Sequence, residues 1–195
     1  MTKKLQSTLP NMLLSLTIIA AVAAALLAFV YETTKPVIDA SKTEALKAGI
    51  AKVLPKGYDN DPYEERVEMN EYVLYPARQG DQLIGVAVKS FTNNGFDGFI
   101  SVLVGMDMEG NIIDYAVQEQ SETPGLGSKM EEWFRTEGTA RSVLGANLAE
   151  PIKVSKDGGS VDAISAATIS SRAFLETLNS AYSVMQQAIA DGQLK

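Results

Sequence analysis

The sequence contains no histidine and no cysteine, and these absences exclude most enzymes that act through their own side chains. Without these residues there can be no Ser-His triad, no cysteine nucleophile, and no thiolate or imidazole ligand for zinc, haem or an iron–sulfur cluster. A lipoprotein anchor is also excluded, because it requires a cysteine. A carboxylate-only metal site and a paired-carboxylate hydrolase stay open, and otherwise we expect a bound cofactor to supply any chemistry.

Positive charge is also scarce, because the sequence has 17 Lys and Arg residues but 24 Asp and Glu residues, which gives a net charge of −7. No basic face offsets this balance, so we expect no nucleic-acid partner. The adjacent carboxylates Glu64-Glu65 and Glu131-Glu132 are interpreted as surface charges rather than a catalytic pair. The length of 195 residues suits one modest domain with an appendage.

Charged residues are missing from Leu5 to Tyr31, and most of this stretch is apolar. At about 1.5 Å per residue, roughly twenty helical residues cross a bilayer core of about 30 Å. We predict a cytoplasmic N-terminus at residues 1–10 and a transmembrane helix at 11–31. A cleaved signal peptide is the alternative, because small residues near Ala23 resemble a cleavage site. The apolar run continues past them, which favours an uncleaved anchor.

The two ends of this predicted span differ in charge. Lys3 and Lys4 precede it, whereas Glu32, Lys35 and Asp39 follow it with mixed charge. The positive-inside rule then places the N-terminus in the cytoplasm and the remainder outside. The expected location is the bacterial inner membrane, as a single-pass protein with its C-terminal domain on the periplasmic side.

The remaining sequence predicts a single extracytoplasmic domain of the α+β class. Pro36 is expected to kink the chain near the membrane surface, and a juxtamembrane helix (39–54) and loop complete the segment 32–69. The domain proper is expected at 70–195, with antiparallel strands and a long C-terminal helix at 165–190. The expected shorter elements are strands at 72–75, 83–89, 99–106, 111–117 and 152–154, and a short helix at 128–135.

The segment from Asp162 to Arg172 combines hydroxyl groups, small residues and one guanidinium at the predicted start of the long helix. Free backbone N–H groups and the helix macrodipole favour an anion at such a position. Arg172 would add positive charge there or, equally, would face solvent. The simpler interpretation of the hydroxyl groups is that Ser165 caps the helix.

The same segment resembles the flavinylation motif Asp-x-x-Ser-Gly-Ala-Thr of the Rnf and Nqr redox complexes, with Ala166 where that family usually has Gly. In that family a flavin transferase joins the phosphate of FMN to the motif threonine. The resemblance therefore implies that FMN is bound covalently to Thr168. The other implied cofactor-binding residues of this segment are Ser165, Ala166, Ala167, Ser170 and Ser171.

A second segment, Ser121–Lys129, contains the sequence Glu-Thr-Pro-Gly-Leu-Gly. Proline and glycine in this order are typical of an ordinary turn, but two glycines around one apolar residue also let the backbone approach a flat ligand. The segment resembles the loop beside the isoalloxazine ring in the same family, and Gly95–Asp107 is also laid out as in that family. The implied site residues of the loop are Glu122, Thr123, Gly125, Leu126 and Gly127.

Together the resemblances imply an electron-carrier subunit similar to the G subunit of Rnf complexes, which couple ferredoxin:NAD electron transfer to ion translocation. Its implied partners are the membrane, the other membrane and peripheral subunits, and a flavin transferase for maturation. With no dinucleotide fingerprint and no cluster ligands, the chain would pass electrons between neighbours rather than act as an independent catalyst. Two alternatives stay open: the C subunit of a sodium-translocating NADH:quinone reductase, and a membrane-tethered module that binds a phosphorylated ligand noncovalently.

Overall fold

A computed structural model describes residues 8–194 and divides the chain into two compact units, 1–45 and 46–195. The first unit consists of most of α1 (Leu9–Val53), whose most apolar 18-residue window has a mean hydropathy of 2.7 and no buried residue. A helix that exposes apolar side chains on every face fits a single-pass membrane protein.

The helix expected at 39–54 is the continuation of α1 and not a separate element. Pro36 lies inside α1, where it has no backbone N–H to donate, and α1 continues beyond it to Val53. The expected kink at Pro36 stays a prediction.

The second unit is built on a five-stranded antiparallel sheet whose strands follow one another in sequence order. Each strand pairs with the next through a short connection, so the sheet is a meander. The strands are β1 (Val67–Met69), β2 (Tyr72–Gln79), β3 (Gln82–Thr92), β4 (Ile100–Asp107) and β5 (Ile112–Gln120). The four long strands confirm the expected ones with ends that differ by up to four residues, whereas β1 lies at the end of the stretch expected to be a loop.

One face of the sheet packs against the long C-terminal helix α3 (Thr168–Ala190). Phe174 lies at the centre of this core, with its ring stacked on Phe134 at 4.5 Å and edge-on to Tyr115 at 4.9 Å. All three rings are fully buried, and such aromatic pairs stabilise a core beyond the area they bury. The core therefore fixes α3, and with it the residues at the start of α3, against the sheet.

The opposite face of the sheet packs against the last residues of α1, 46–53, and Leu54. Gly105 on β4 permits this contact, because a Cβ atom there would collide with the backbone of Val53. Tyr75, Ala87 and Leu103 form the buried sheet side of this second cluster. The sheet is thus covered on both faces, as expected for an α+β domain.

Short elements connect the sheet to α3. A 3₁₀ turn at Gly127–Lys129 leads into the one-turn helix α2 (Met130–Trp133), where a short helix is expected. The expected strand at 152–154 is wrong, since only Val154 forms an isolated bridge, with Val161. A second 3₁₀ turn follows at Ser155–Asp157. The α+β class, the antiparallel strands and the long C-terminal helix are confirmed.

Candidate cofactor site

The start of α3 and the loop after β5 enclose a cavity of about 300 Å³. Most of the predicted cofactor-binding residues line it, although they come from two segments far apart in the sequence. Three of them, Ser165, Gly125 and Ser171, lie outside the lining. The lining residues are Phe96, Glu122, Thr123, Leu126, Gly127, Ala166, Ala167, Thr168, Ile169 and Ser170.

Large apolar side chains surround this cavity and remain partly open to solvent. The exposed fractions are 65% for Phe96, 49% for Ile169 and 39% for Leu126. Exposed apolar groups that gather around a concave site are typical of a ligand-binding surface. Phe96 and Ile169 are absent from the predicted site residues. Both could have been identified from the sequence, because Phe96 lies in the family-like segment Gly95–Asp107 and Ile169 directly follows Thr168.

The turn before α3 differs from the expected one. The helix begins at Thr168 rather than near residue 165, and within the described residues no side chain caps it. Ala167 occupies the N-cap position, so the interpretation of Ser165 as the cap is wrong. Ser171 closes the turn instead, because its hydroxyl accepts the N–H of Ile164 and donates to the carbonyl of Ala167, both at 2.9 Å. Without a side-chain cap, the first N–H groups of α3 are available to an anionic group.

Ala166 occupies a left-handed backbone conformation, with a φ of 62°. Glycine adopts this conformation freely, whereas an L-residue with a Cβ atom loses roughly 1–2 kcal/mol there. This geometry gives a physical reason for the glycine that the related flavinylation motif has at this position. The chain tolerates alanine because Ala166 is exposed and its methyl group has space.

A lysine contacts the hydroxyl group of Thr168. Lys156, in the 3₁₀ turn Ser155–Asp157, donates from Nζ to Thr168 Oγ1 at 3.1 Å. The sequence left open whether Arg172 would be the cation at this position or would face solvent. Arg172 instead binds Asp157 through two hydrogen bonds of 2.7 Å. The guanidinium lowers the pKa of the Asp157 carboxyl through these bonds and, less strongly, through its charge.

A buried carboxylate joins the three segments that form the cavity. Glu122 is only 4% exposed, accepts the hydroxyl of Ser170 at 2.5 Å, and accepts the backbone N–H of Asp97 at 3.2 Å. A Cβ atom on Gly127 would lie 2.5 Å from Glu122 Oε2 and 2.6 Å from Ser170 Oγ. The missing side chain of Gly127 therefore lets the loop close onto Glu122 and α3. Gly125 instead provides a positive φ of 77° at the turn itself.

The sequence is similar to a family of proteins that bind flavin. Residues 95–183 match the FMN-binding domain family. The chain is 33% identical over 186 residues to the G subunit of the ion-translocating oxidoreductase complex of Yersinia pestis, a match that covers 89% of this chain and 88% of that protein. This chain belongs to the family of these G subunits. The corresponding subunit of Cereibacter sphaeroides (strain ATCC 17029 / ATH 2.4.9) is 34% identical over 172 residues, covering 81% and 75%. That of Escherichia coli (strain K12) is 30% identical over 180 residues, covering 86% of each chain.

The cavity of this family member has the properties that FMN requires. Phe96, Leu126 and Ile169 offer an apolar lining to an aromatic ring system, and the Thr168 hydroxyl, the start of α3 and Lys156 offer polar partners to a phosphate. All residues of the lining fall inside the match to the FMN-binding domain family. FMN is therefore the cofactor of this domain, and the cavity at the start of α3 is its candidate site.

Proposed function

We propose that this chain carries FMN attached through its phosphate to Thr168 and passes electrons between neighbouring subunits. The position of Thr168 carries the proposal. Its side chain lines the apolar cavity at the first residue of α3, and its Oγ1 lies 3.1 Å from a lysine Nζ. A hydroxyl group that reaches the solvent-accessible side of a cofactor cavity is the group a transferase would modify.

The residues around Thr168 suit a phosphodiester. Such a linkage keeps one negative charge, which the N-terminal end of α3 and the ammonium group of Lys156 stabilise. The apolar lining holds the ring, while Glu122 fixes the loop to α3. When bound, FMN supplies reversible electron transfer, which this chain without histidine or cysteine has no other group to perform. A covalent tether also keeps the flavin at a high effective concentration beside its partner.

The relatives support a place within a larger assembly, since they are named as subunits of ion-translocating oxidoreductase complexes. We infer that this chain works with the other membrane and peripheral subunits of an Rnf-type complex, which couples ferredoxin:NAD electron transfer to ion movement. A flavin transferase would modify Thr168 after the domain folds. The apolar residues of α1 would span the inner membrane, with the FMN-binding domain on the periplasmic side.

The covalent linkage is tested by expressing the protein together with a flavin transferase and resolving it on a denaturing gel. The unmodified sequence should give a fluorescent band, and Thr168→Ala should abolish it. Ser165→Ala is the matched control, because Ser165 belongs to the same motif but is exposed and lies outside the cavity lining. A fluorescent Thr168→Ala band would refute the assignment of this residue. A wild-type protein that binds FMN but never fluoresces on the gel would support a noncovalent binding module.

A further inference from the structure

The 3₁₀ turn Ser155–Asp157 brings a cation to the atom that would carry the flavin. Lys156 lies twelve positions before Thr168 and still places its Nζ 3.1 Å from Thr168 Oγ1. Backbone hydrogen bonds shape this turn: Ser155 N–H donates to the Val161 carbonyl at 2.8 Å, and Asp157 N–H donates to the Val154 carbonyl at 2.9 Å. The location of Lys156 therefore follows from the fold of the segment and not only from the reach of its side chain.

The carboxylate next to Lys156 already has a partner, and it interacts more strongly with Arg172 than with Lys156. Asp157 is the neighbouring carboxylate, and its two oxygens are occupied by Arg172 in a bidentate pair. This ion pair links the 3₁₀ segment Ser155–Asp157 to α3 at a position four residues, about one helical turn, after Thr168. It also offsets the negative charge that would otherwise draw the Lys156 ammonium away from Thr168. Lys153 carries the same charge as Lys156 but lines a different cleft, along α3.

We propose that Lys156 is the counter-charge of the flavin phosphate on Thr168, and that it assists the reaction which attaches this phosphate. The inference rests on the proposed covalent linkage. A lysine ammonium binds phosphate oxygens as a point charge, and a charge-assisted hydrogen bond is about twice as strong as a neutral one. Lys156 is thus a positioning residue for attachment and a ligand of the product.

The donor in the attachment step is a flavin dinucleotide. Thr168 Oγ1 forms a bond to the phosphorus of the FMN half, and the phosphoanhydride bond to the nucleoside monophosphate breaks. The monophosphate leaves with the electron pair of that bond, while the hydroxyl proton passes to a base of the transferase. No electron is gained or lost. Lys156 would stabilise the negative charge that develops on the phosphate oxygens near Oγ1.

The test compares initial rates of attachment by a purified transferase for the wild type, Lys156→Gln, Lys156→Arg and the control Lys153→Gln. Both glutamine variants remove one positive charge from the same segment, but only Lys156 contacts Thr168. We expect a rate about tenfold lower for Lys156→Gln, partial recovery in Lys156→Arg, and a rate near that of the wild type for Lys153→Gln. Added salt should slow the wild type more than Lys156→Gln, because it screens this exposed charge.

A second measurement uses ³¹P NMR of the fully modified proteins, which reports the surroundings of the phosphate independently of any reaction rate. The phosphodiester resonance should shift in Lys156→Gln and remain in place in Lys153→Gln. Equal attachment rates for the two glutamine variants, or an unshifted resonance in Lys156→Gln, would overturn the role of Lys156 while leaving the covalent linkage intact. A wild type that never acquires flavin would overturn the linkage and the role of Lys156 together.

Discussion

The backbone strain in the turn before α3 depends on single residues, and Ala166 is the clearest case. We expect Ala166→Gly to raise the free energy of unfolding by about 0.5–1 kcal/mol, because glycine relieves the left-handed strain at φ 62° but gains entropy in the unfolded chain. Urea denaturation measures the change. Ala167→Gly is the control: at φ −133° it relieves no strain and should destabilise the domain. A lower stability of Ala166→Gly would contradict this account.

The two glycines of the loop should respond differently to a methyl group. Gly127→Ala would place its Cβ 2.5 Å from Glu122 Oε2, so we expect a loss of about 1–3 kcal/mol of stability and a changed visible spectrum of the bound flavin. Gly125→Ala meets no atom within 4 Å, so its cost comes only from the positive φ. Absorption spectra of both variants give the comparison. A spectral change confined to Gly125→Ala would show that Gly127 does not shape the cavity.

The sequence identifies the motif residues of the site but not their partners. Thr168 and Glu122 stand in recognisable motifs, and both line the cavity. The contact between Ser170 and Glu122 joins residues 48 positions apart, and no local pattern predicts such a pairing. The contact of Lys156 is also not predicted from the sequence, because a single lysine in a polar segment looks like any solvent-exposed charge. Tertiary packing, and not motif spacing, supplies these contacts.

Among the contacts between elements, the packing of residues 46–54, the end of α1 and Leu54, against the sheet should weaken at high pH. Burial, followed by the nearby Tyr63, raises the pKa of Tyr75 to about 12. The folded domain therefore holds this proton more tightly than the unfolded chain, whose tyrosines titrate near 10. The resulting stability is complete below pH 10 and is lost as pH rises towards 12, by about 2–3 kcal/mol at most.

Denaturation of the domain at several pH values between 8 and 12 tests this expectation. In Tyr75→Phe the free energy of unfolding should fall less between about pH 10 and 12, because phenylalanine keeps the ring but has no proton to lose. Tyr115, whose pKa burial also raises, should account for a remaining decline in the variant. An identical pH dependence in wild type and Tyr75→Phe would show that Tyr75 contributes nothing to it.

Element boundaries are less predictable than the elements themselves. Apolar runs on either side of turn residues predict the four long strands, but β1 has only three residues, too few to show a pattern. The hydroxyl group of Ser165 favours a helix start there, yet the left-handed Ala166 delays α3 to Thr168. In both places the conformation depends on neighbouring segments, namely β2 for the strand and Ser171 for the turn.

For the whole molecule, the charge-free part of α1 up to Tyr31 and the lysines before it predict a topology. A reporter fused after Lys195 should be active only outside the cytoplasm, and the mature protein should keep its N-terminal segment. An alkaline phosphatase fusion and a cytoplasm-active reporter at the same position form a matched pair. Activity of the cytoplasmic reporter would reverse the orientation, and a mature N-terminus beyond Ala23 would identify a signal peptide.

The central claim is that FMN is bound covalently to Thr168, and mass spectrometry of the purified protein tests it most directly. The intact protein, made with a flavin transferase, should be heavier than the unmodified chain by one FMN less one water. Fragmentation should place this mass on Thr168 within the peptide that contains Asp162–Ser171. An intact mass equal to that of the bare chain, or fragments that place the flavin on Ser165, Ser170 or Ser171, would contradict the account.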